Sequence, residues 1–216
     1  MRDPSVLQPI PLPGGDLRFA PVWLPAGEAD ALFAALRDGI AWETHRIRLF
    51  GREVDSPRLS CWIGDPGAVY TYSRTRFEPR PWPAALAPVR LRLRETLGLA
   101  FDSMLANRYR DGRDRMGWHS DDEPELGPRP VIASLSLGAT RRFALKPRDG
   151  GAARHLDLPH GSLLVMAGDT QARWRHALPG TARPVGERIN LTFRRILARD
   201  RDRARRAGSP DLSPSP

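Results

Sequence analysis

Beyond residue 100 the chain breaks into short runs that no long helix can use. Seven segments rich in aliphatic, aromatic and β-branched residues, at 103–108, 131–137, 142–146, 155–158, 162–166, 173–177 and 188–196, are separated by Gly, Pro and Asp turns. Short strands at such close spacing predict a β-sandwich or jelly roll. Two helices precede them. Over 25–39, Ala29, Leu32, Phe33 and Leu36 recur at helical spacing and Gly39 offers a stop. Over 82–97, Leu86, Val89, Leu93 and Leu97 form a second apolar stripe that ends at Gly98. Between the helices, 42–52 and 68–73 read as strands joined by loops, and 16–19 reads as a short strand after an irregular, proline-rich segment 1–15. The expected fold is α+β, mainly β: a single domain over 16–197 whose β core occupies about 101–197, flanked by N-terminal helices. From 198 to 216 Arg and Asp alternate before Ser and Pro dominate, which predicts a disordered tail.

Charge narrows the partners. The 216 residues carry 34 Lys+Arg against 25 Asp+Glu, a net +9, and Lys146 is the sole lysine. A GC-rich genome explains arginine in place of lysine, together with 19 Gly and 22 Pro, but not the excess over acids. Guanidiniums that fork onto phosphate oxygens would explain that excess. Residues 41–120 alone sum to +5, which licenses a nucleic-acid partner without establishing one. Cys61 is the single cysteine, so an intramolecular disulfide is excluded and a reducing compartment is expected. No apolar run approaches the roughly 20 residues that span a bilayer. Met1-Arg2-Asp3-Pro4 leads into a proline-rich stretch rather than a charged-then-apolar signal, so a cytoplasmic protein without membrane partners is expected.

Of five histidines, His119 stands two residues before Asp121 in a polar, Gly-rich loop over 111–123. On extended backbone such a pair points the same way, so an imidazole and a carboxylate can grip one ion. His176, 57 residues later, would complete the 2-His-1-carboxylate face of non-haem Fe(II) oxygenases. The same three ligands suit a hydrolytic Zn²⁺, and each histidine alone is as readily a surface or core residue. The stretch Arg188-Ile189-Asn190-Leu191-Thr192-Phe193-Arg194 shifts the balance. Period two puts Arg188, Asn190, Thr192 and Arg194 on one face and the apolar residues on the other. A solvated edge strand accounts for two arginines but poorly for the Asn and Thr between them. Converging inside a barrel, these groups form a receptor for a small dicarboxylate. Asn107 and Tyr109 form a similar same-face pair. An iron face beside a dicarboxylate receptor points to 2-oxoglutarate, which is oxidised as O₂ is activated.

These motifs occur in one order: Asn107-Arg108-Tyr109-Arg110-Asp111-Gly112, Trp118-His119-Ser120-Asp121-Asp122-Glu123, Ile132-Ala133-Ser134-Leu135-Ser136-Leu137-Gly138, His160-Gly161-Ser162-Leu163-Leu164, and Arg188 to Arg194. Over roughly 40–197 the chain resembles the AlkB family of 2-oxoglutarate/Fe(II) dioxygenases. It is most similar to the branch that repairs alkylated bases in double-stranded DNA, which Leu49-Phe50-Gly51 and Tyr70-Thr71-Tyr72-Ser73 also resemble. The resemblance implies a double-stranded β-helix (jelly roll), with a nucleotide-recognition part at about 40–100. It implies His119, Asp121 and His176 as iron ligands. Asn107, Tyr109, Arg188, Asn190, Thr192 and Arg194 would hold 2-oxoglutarate, one arginine forking onto its distal carboxylate. Tyr72 and the His119 ring would sandwich the damaged base, with Tyr70, Ser73, Asp122 and Glu123 around it. Phe50, beside Gly51 on a turn, would wedge into the duplex and fill the gap left by the flipped nucleotide. Arginines in 46–58, 74–80 and 108–115 would meet phosphates. Trp118 stands where members of that branch carry a charged residue.

The resemblance implies oxidative demethylation of 1-methyladenine and 3-methylcytosine with Fe(II), 2-oxoglutarate and O₂, by a monomer acting on alkylated duplex DNA. The rivals are the same chemistry on RNA, single strands or protein, a non-catalytic nucleic-acid-binding module, and a zinc hydrolase.

Overall fold

The alternation along Arg188–Arg194 decides how the molecule is layered. In the computed structural model, which describes residues 3–49, 52–72 and 75–197, this strand lies inside a seven-stranded sheet. The strands in chain order are β1 (Gln8–Ile10), β2 (Asp16–Ala20), β3 (Arg46–Leu49), β4 (Arg52–Asp55), β5 (Leu59–Gly64), β6 (Tyr70–Tyr72), β7 (Thr75–Phe77), β8 (Ser103–Tyr109), β9 (Met116–His119), β10 (Ile132–Gly138), β11 (Arg141–Pro147), β12 (Arg154–Leu158), β13 (Ser162–Ala167), β14 (Trp174–Leu178) and β15 (Arg188–Arg194). The helices are α1 (Ala26–Gly39), α2 (Ala87–Leu97) and the single turn α3 (Thr170–Arg173). The large sheet runs β1-β2-β13-β10-β15-β8-β5, a four-stranded sheet runs β12-β11-β14-β9, and β3–β4 and β6–β7 form separate hairpins.

Ile189, Leu191 and Phe193 of β15 pack with Leu135 and Leu137 of β10 and Met104 of β8 against the two helices. Helix α1 contributes Ala29, Leu32 and Leu36 to that layer, and α2 contributes Val89 and Leu93. Each such fully buried aliphatic side chain stabilises the layer by about 1.5–3 kcal/mol relative to exposure. The opposite face of the large sheet meets the four-stranded sheet over a second core that includes Trp62, Phe143, Leu145, Leu164, Met166 and Trp174. The result is a two-sheet jelly roll with the polar residues of β15 between the sheets and the helices outside.

The structure departs from the sequence expectations at several places; β5 occupies residues 59–64, expected to be loop, and pairs with β8. Gln8–Ile10, expected to be irregular, pairs with β2 at the sheet edge, where Pro9 needs no ladder donor. The second helix begins at Ala87 rather than at residue 82, after Pro83 and a 3₁₀ turn over Ala84–Leu86. Trp82 instead stacks on Phe193 at 6.3 Å and donates to Asp65 Oδ1. Gly39 ends α1 without a left-handed turn, because the chain leaves through Ile40 in extended conformation, whereas Gly98 does close α2 at φ 64°. Met116–His119, inside the expected loop 111–123, forms β9 against β14. Phe50, Gly51, Ser73 and the tail 198–216 lie outside the described residues.

Candidate active site

A bulge builds the metal face. In β9, His119 pairs with His176 and Met116 with Leu178, so Gly117 and Trp118 together oppose Ala177 alone. The extra residue lets Met116 and His119 both line the cavity between the sheets, which strict alternation would forbid. It also turns the Gly117 carbonyl to the His119 ring, 2.8 Å from Nδ1. A carbonyl only accepts, so Nδ1 carries the proton and Nε2 is left with its lone pair for a metal. Beyond β9, the Asp121 N–H donates to Gln171 Oε1 at 2.9 Å, which fixes the carboxylate between the two histidines. The His119 and His176 rings lie 4.2 Å apart, and His176 Nε2 is 3.7 Å from Asp121 Oδ2. The ligating atoms of His119, Asp121 and His176 all lie within 4.8 Å of one another.

The electrostatics prepare these groups for a cation. Burial pushes His176 down to about 3, with His119 adding to the effect and Asp121 opposing it. Burial likewise lowers His119, against the pull of Asp121. Both rings are therefore neutral at physiological pH, the state in which imidazole binds metal. Burial alone would raise Asp121, but Arg194, His176 and His119 outweigh it and leave the carboxylate below its usual range. Arg194 Nη2 donates to Asp121 Oδ1 at 2.5 Å. Two neutral nitrogens and one carboxylate on one side of an ion suit Fe(II) with open positions.

The dicarboxylate receptor lies along the same strand. Arg188 is 1 % exposed, and burial lowers it to about 10 against the opposing influence of Tyr109, so it stays cationic. Its Nη2 donates to Ser136 Oγ at 2.9 Å, while Nε and Nη1 have no hydrogen-bond partner among the described residues. A buried guanidinium with two free N–H groups is costly unless an anion completes it, and a carboxylate matches that geometry. Tyr109 sits between Arg188 and Arg141, 5.3 and 5.9 Å from their guanidinium carbons. Arg141 is spent on the carbonyls of Asp111, Asp114 and Pro179 and cannot serve the anion. Asn190 Nδ2 donates to Ser134 Oγ and the Leu135 carbonyl, and Asn107 Oδ1 accepts from Arg58 Nε at 2.7 Å. Asn107, Tyr109, Asn190, Thr192 and Arg194 line one cavity with the three metal-site residues.

The base-side residues are brought together less completely. Tyr70 and Tyr72 lie on β6 in register with Phe77 and Thr75 of β7. Asp122 is ion-paired with Arg148, and Glu123 stands at the N-cap position of the 3₁₀ turn Pro124–Leu126, its side chain making no capping bond. Arg58, expected among the phosphate-meeting arginines of 46–58, is instead buried and donates to Asn107 and Ser56, and sequence reading missed Ser134, Ser136 and Gln171. The serines were findable, since they alternate with apolar residues in β10 as the polar set does in β15. Arg58 and Gln171 carry no local signal, because their partners Asn107 and Asp121 lie about fifty residues away.

A model of the 2OG-Fe(II) oxygenase superfamily matches residues 16–194. The chain belongs to that superfamily. Among curated relatives, it is 40% identical over 188 residues to the alpha-ketoglutarate-dependent dioxygenase alkB homolog 3 of Bos taurus, covering 82% of this chain and 65% of the relative. It is 40% identical over 181 residues to the DNA oxidative demethylase ALKBH2 of Mus musculus, covering 79% and 76%. The human ALKBH2 is 39% identical, at 79% and 69% coverage. These place the 2OG-Fe(II) oxygenase in the AlkB family, although the chain spans only 65% of the bovine relative's length. Two solved structures share the fold: OsALKBH1, with TM-score 0.57 and 18% identity over 88% of this chain and 99% of that one, and a Pseudomonas putida prolyl-4-hydroxylase, with TM-score 0.52 and 22% identity over 83% and 92%. Fe(II), 2-oxoglutarate and O₂ come with membership of the superfamily, and the triad and the open Arg188 fork fit the first two.

Proposed function

We propose that the protein is an oxidative DNA demethylase that repairs 1-methyladenine and 3-methylcytosine. The observation that carries this reading is the joining of the His119, Asp121 and His176 face to the Arg188 fork along one cavity, in a chain about 40% identical to proteins named DNA oxidative demethylase. A zinc hydrolase would leave a buried arginine fork without purpose.

His119, Asp121 and His176 hold Fe(II), and Arg188 binds the distal carboxylate of 2-oxoglutarate, with Tyr109 beside it. Asn107, Asn190, Thr192 and Arg194 complete the cosubstrate pocket. The iron, when bound, supplies the activation of O₂ that turns 2-oxoglutarate into succinate and CO₂ and hydroxylates the N-alkyl carbon. The hydroxymethyl product breaks its C–N bond: the bonding pair returns to the ring nitrogen as its lone pair, the hydroxyl proton leaves to solvent, and formaldehyde is released. Arg194 keeps Asp121 charged and oriented throughout, and the Gly117 carbonyl keeps the His119 ring in one tautomer.

The hairpins β3–β4 and β6–β7 form the nucleotide-recognition part at about 40–100, within a single domain spanning 16–197. By similarity to the family, Tyr72 and His119 would sandwich the flipped base, Tyr70, Ser73, Asp122 and Glu123 would border it, and Phe50 with Gly51 would supply the wedge. A wedge would suit duplex DNA, so alkylated duplex DNA is the substrate on this reading, with a cytoplasmic monomer as the acting form. Among the described residues no helix is long and apolar enough to cross a membrane. Assays on matched methylated single- and double-stranded oligonucleotides test this reading. Duplex preference lost in Phe50→Ala is expected, and equal rates on both forms in the wild type would contradict the duplex assignment.

A further inference from the structure

The bulge in β9 has a second product besides the metal face. It leaves Trp118, the residue before the ligand His119, 41% exposed on the edge strand of the four-stranded sheet. The other large apolar side chains that are exposed among the described residues are Val6, Val22, Val54 and Leu91, so Trp118 is the one aromatic of that set. The indole is not part of the cavity lining that Met116 and His119 enter; it lies open to solvent, one residue from a metal ligand.

Its surroundings specify what covers it. The Lys146 ammonium lies 4.5 Å from the ring centroid, within cation–π range, and holds the indole from one side. Arg175, exposed on β14, is the register partner of Lys146 on β11. Arg148, two residues beyond Lys146, is tied to Asp122 next to the ligand Asp121. Strands β11 and β14, with Arg148 just beyond β11, thus present cations beside an aromatic ring on β9, and Trp118 and Arg175 each adjoin a metal-site histidine in sequence. Interleaved cations and an aromatic face are the chemistry of a polynucleotide strand: phosphates meet the cations, and a base or sugar covers the ring.

We propose that Trp118, backed by Lys146, is a contact platform for the nucleotide adjoining the damaged one, on the strand that carries the lesion. The proposal rests on the DNA-demethylase reading. It makes Trp118 a determinant of oligonucleotide over mononucleotide use, acting on binding and not on the chemical step.

The test uses the Fe(II)- and 2-oxoglutarate-loaded enzyme without O₂, with an oligonucleotide of about fifteen nucleotides carrying 3-methylcytosine, a length that spans one such site. Binding is followed by anisotropy, and turnover of 3-methyl-dCMP is followed separately with O₂ present. Trp118→Ala should weaken oligonucleotide binding about tenfold, as loss of one base–aromatic stack does. 2-Oxoglutarate binding and 3-methyl-dCMP turnover should stay at wild-type values, and Trp118→Phe should recover most of the loss. Lys146→Met should weaken binding and flatten its salt dependence. Unchanged oligonucleotide binding in Trp118→Ala, or an equal loss with 3-methyl-dCMP, would overturn the proposal while leaving wild-type demethylation intact. A wild type that neither binds nor demethylates the oligonucleotide would overturn the parent reading as well.

Discussion

Arg194 on β15 and Asp121 beyond β9 share a 2.5 Å hydrogen bond, with their side chains 4% and 3% exposed. The bond joins the strand that carries the cosubstrate receptor to the loop that carries the metal carboxylate. One buried cation therefore sets both the charge and the orientation of an iron ligand, and the two halves of the site cannot shift independently.

Arg194→Met leaves Asp121 buried beside two neutral rings without that counter-charge. The metal-free variant should lose about 3–5 kcal/mol of stability, the usual cost of breaking a buried pair. Mn(II), a redox-quiet substitute, should then raise the melting temperature of the variant more than that of the wild type, because the dication replaces the lost charge. Denaturation with and without Mn(II) measures both, and equal metal-induced shifts would contradict the coupling.

Arg188→Met removes a fork that has two free N–H groups in the absence of an anion. Affinity for 2-oxoglutarate should fall about a hundredfold, the scale of two charge-assisted hydrogen bonds. Stability without 2-oxoglutarate should stay level or rise, because a desolvated cation is gone. Calorimetric titration and a melting curve separate the two effects.

The pH dependence follows from the histidines. His176 is held at about 3 in the folded protein and His119 is lowered too, against about 6.5 in the unfolded chain. The unfolded state then binds more protons between those values, so stability is fully present above about 6.5 and drains away as pH falls towards 3. Urea midpoints of the metal-free protein across that range should fall accordingly, and His176→Gln should flatten the slope.

Two glycines distinguish strain from tolerance. Gly138 has φ +84°, and a Cβ there would lie 2.4 Å from the Glu187 carbonyl oxygen, next to the residue that faces it across the ladder, Arg188. Gly138→Ala should cost more than about 1 kcal/mol and weaken 2-oxoglutarate binding by displacing Arg188. A Cβ at Gly117 would meet nothing within 4 Å, so Gly117→Ala should fold normally. Melting temperatures of the two variants check the contrast.

What could be read from the sequence was what repeats locally. Polar and apolar residues alternate through β15, and burial of Ile189, Leu191 and Phe193 against the helices made that alternation visible without any partner. The His119, Asp121 and His176 set was legible because two ligands are two residues apart and the third sits on a recognisable strand. Strand β9 was hidden because four residues with a glycine and a bulge carry no period, and their pairing comes from β14 far along the chain. Strand β1 was hidden by its proline, harmless only at an edge. Arg58 and Gln171 act through contacts that only the folded sheets create.

The central claim is tested most directly by counting products on a duplex oligonucleotide that carries one 3-methylcytosine, with Fe(II), 2-oxoglutarate and O₂. Formaldehyde, succinate and restored cytosine should appear in equal amounts, and all three should vanish in His119→Ala and Asp121→Ala. Succinate without formaldehyde or restored base would keep the oxygenase and remove DNA demethylation. Formaldehyde release that survives both substitutions would contradict the metal face itself.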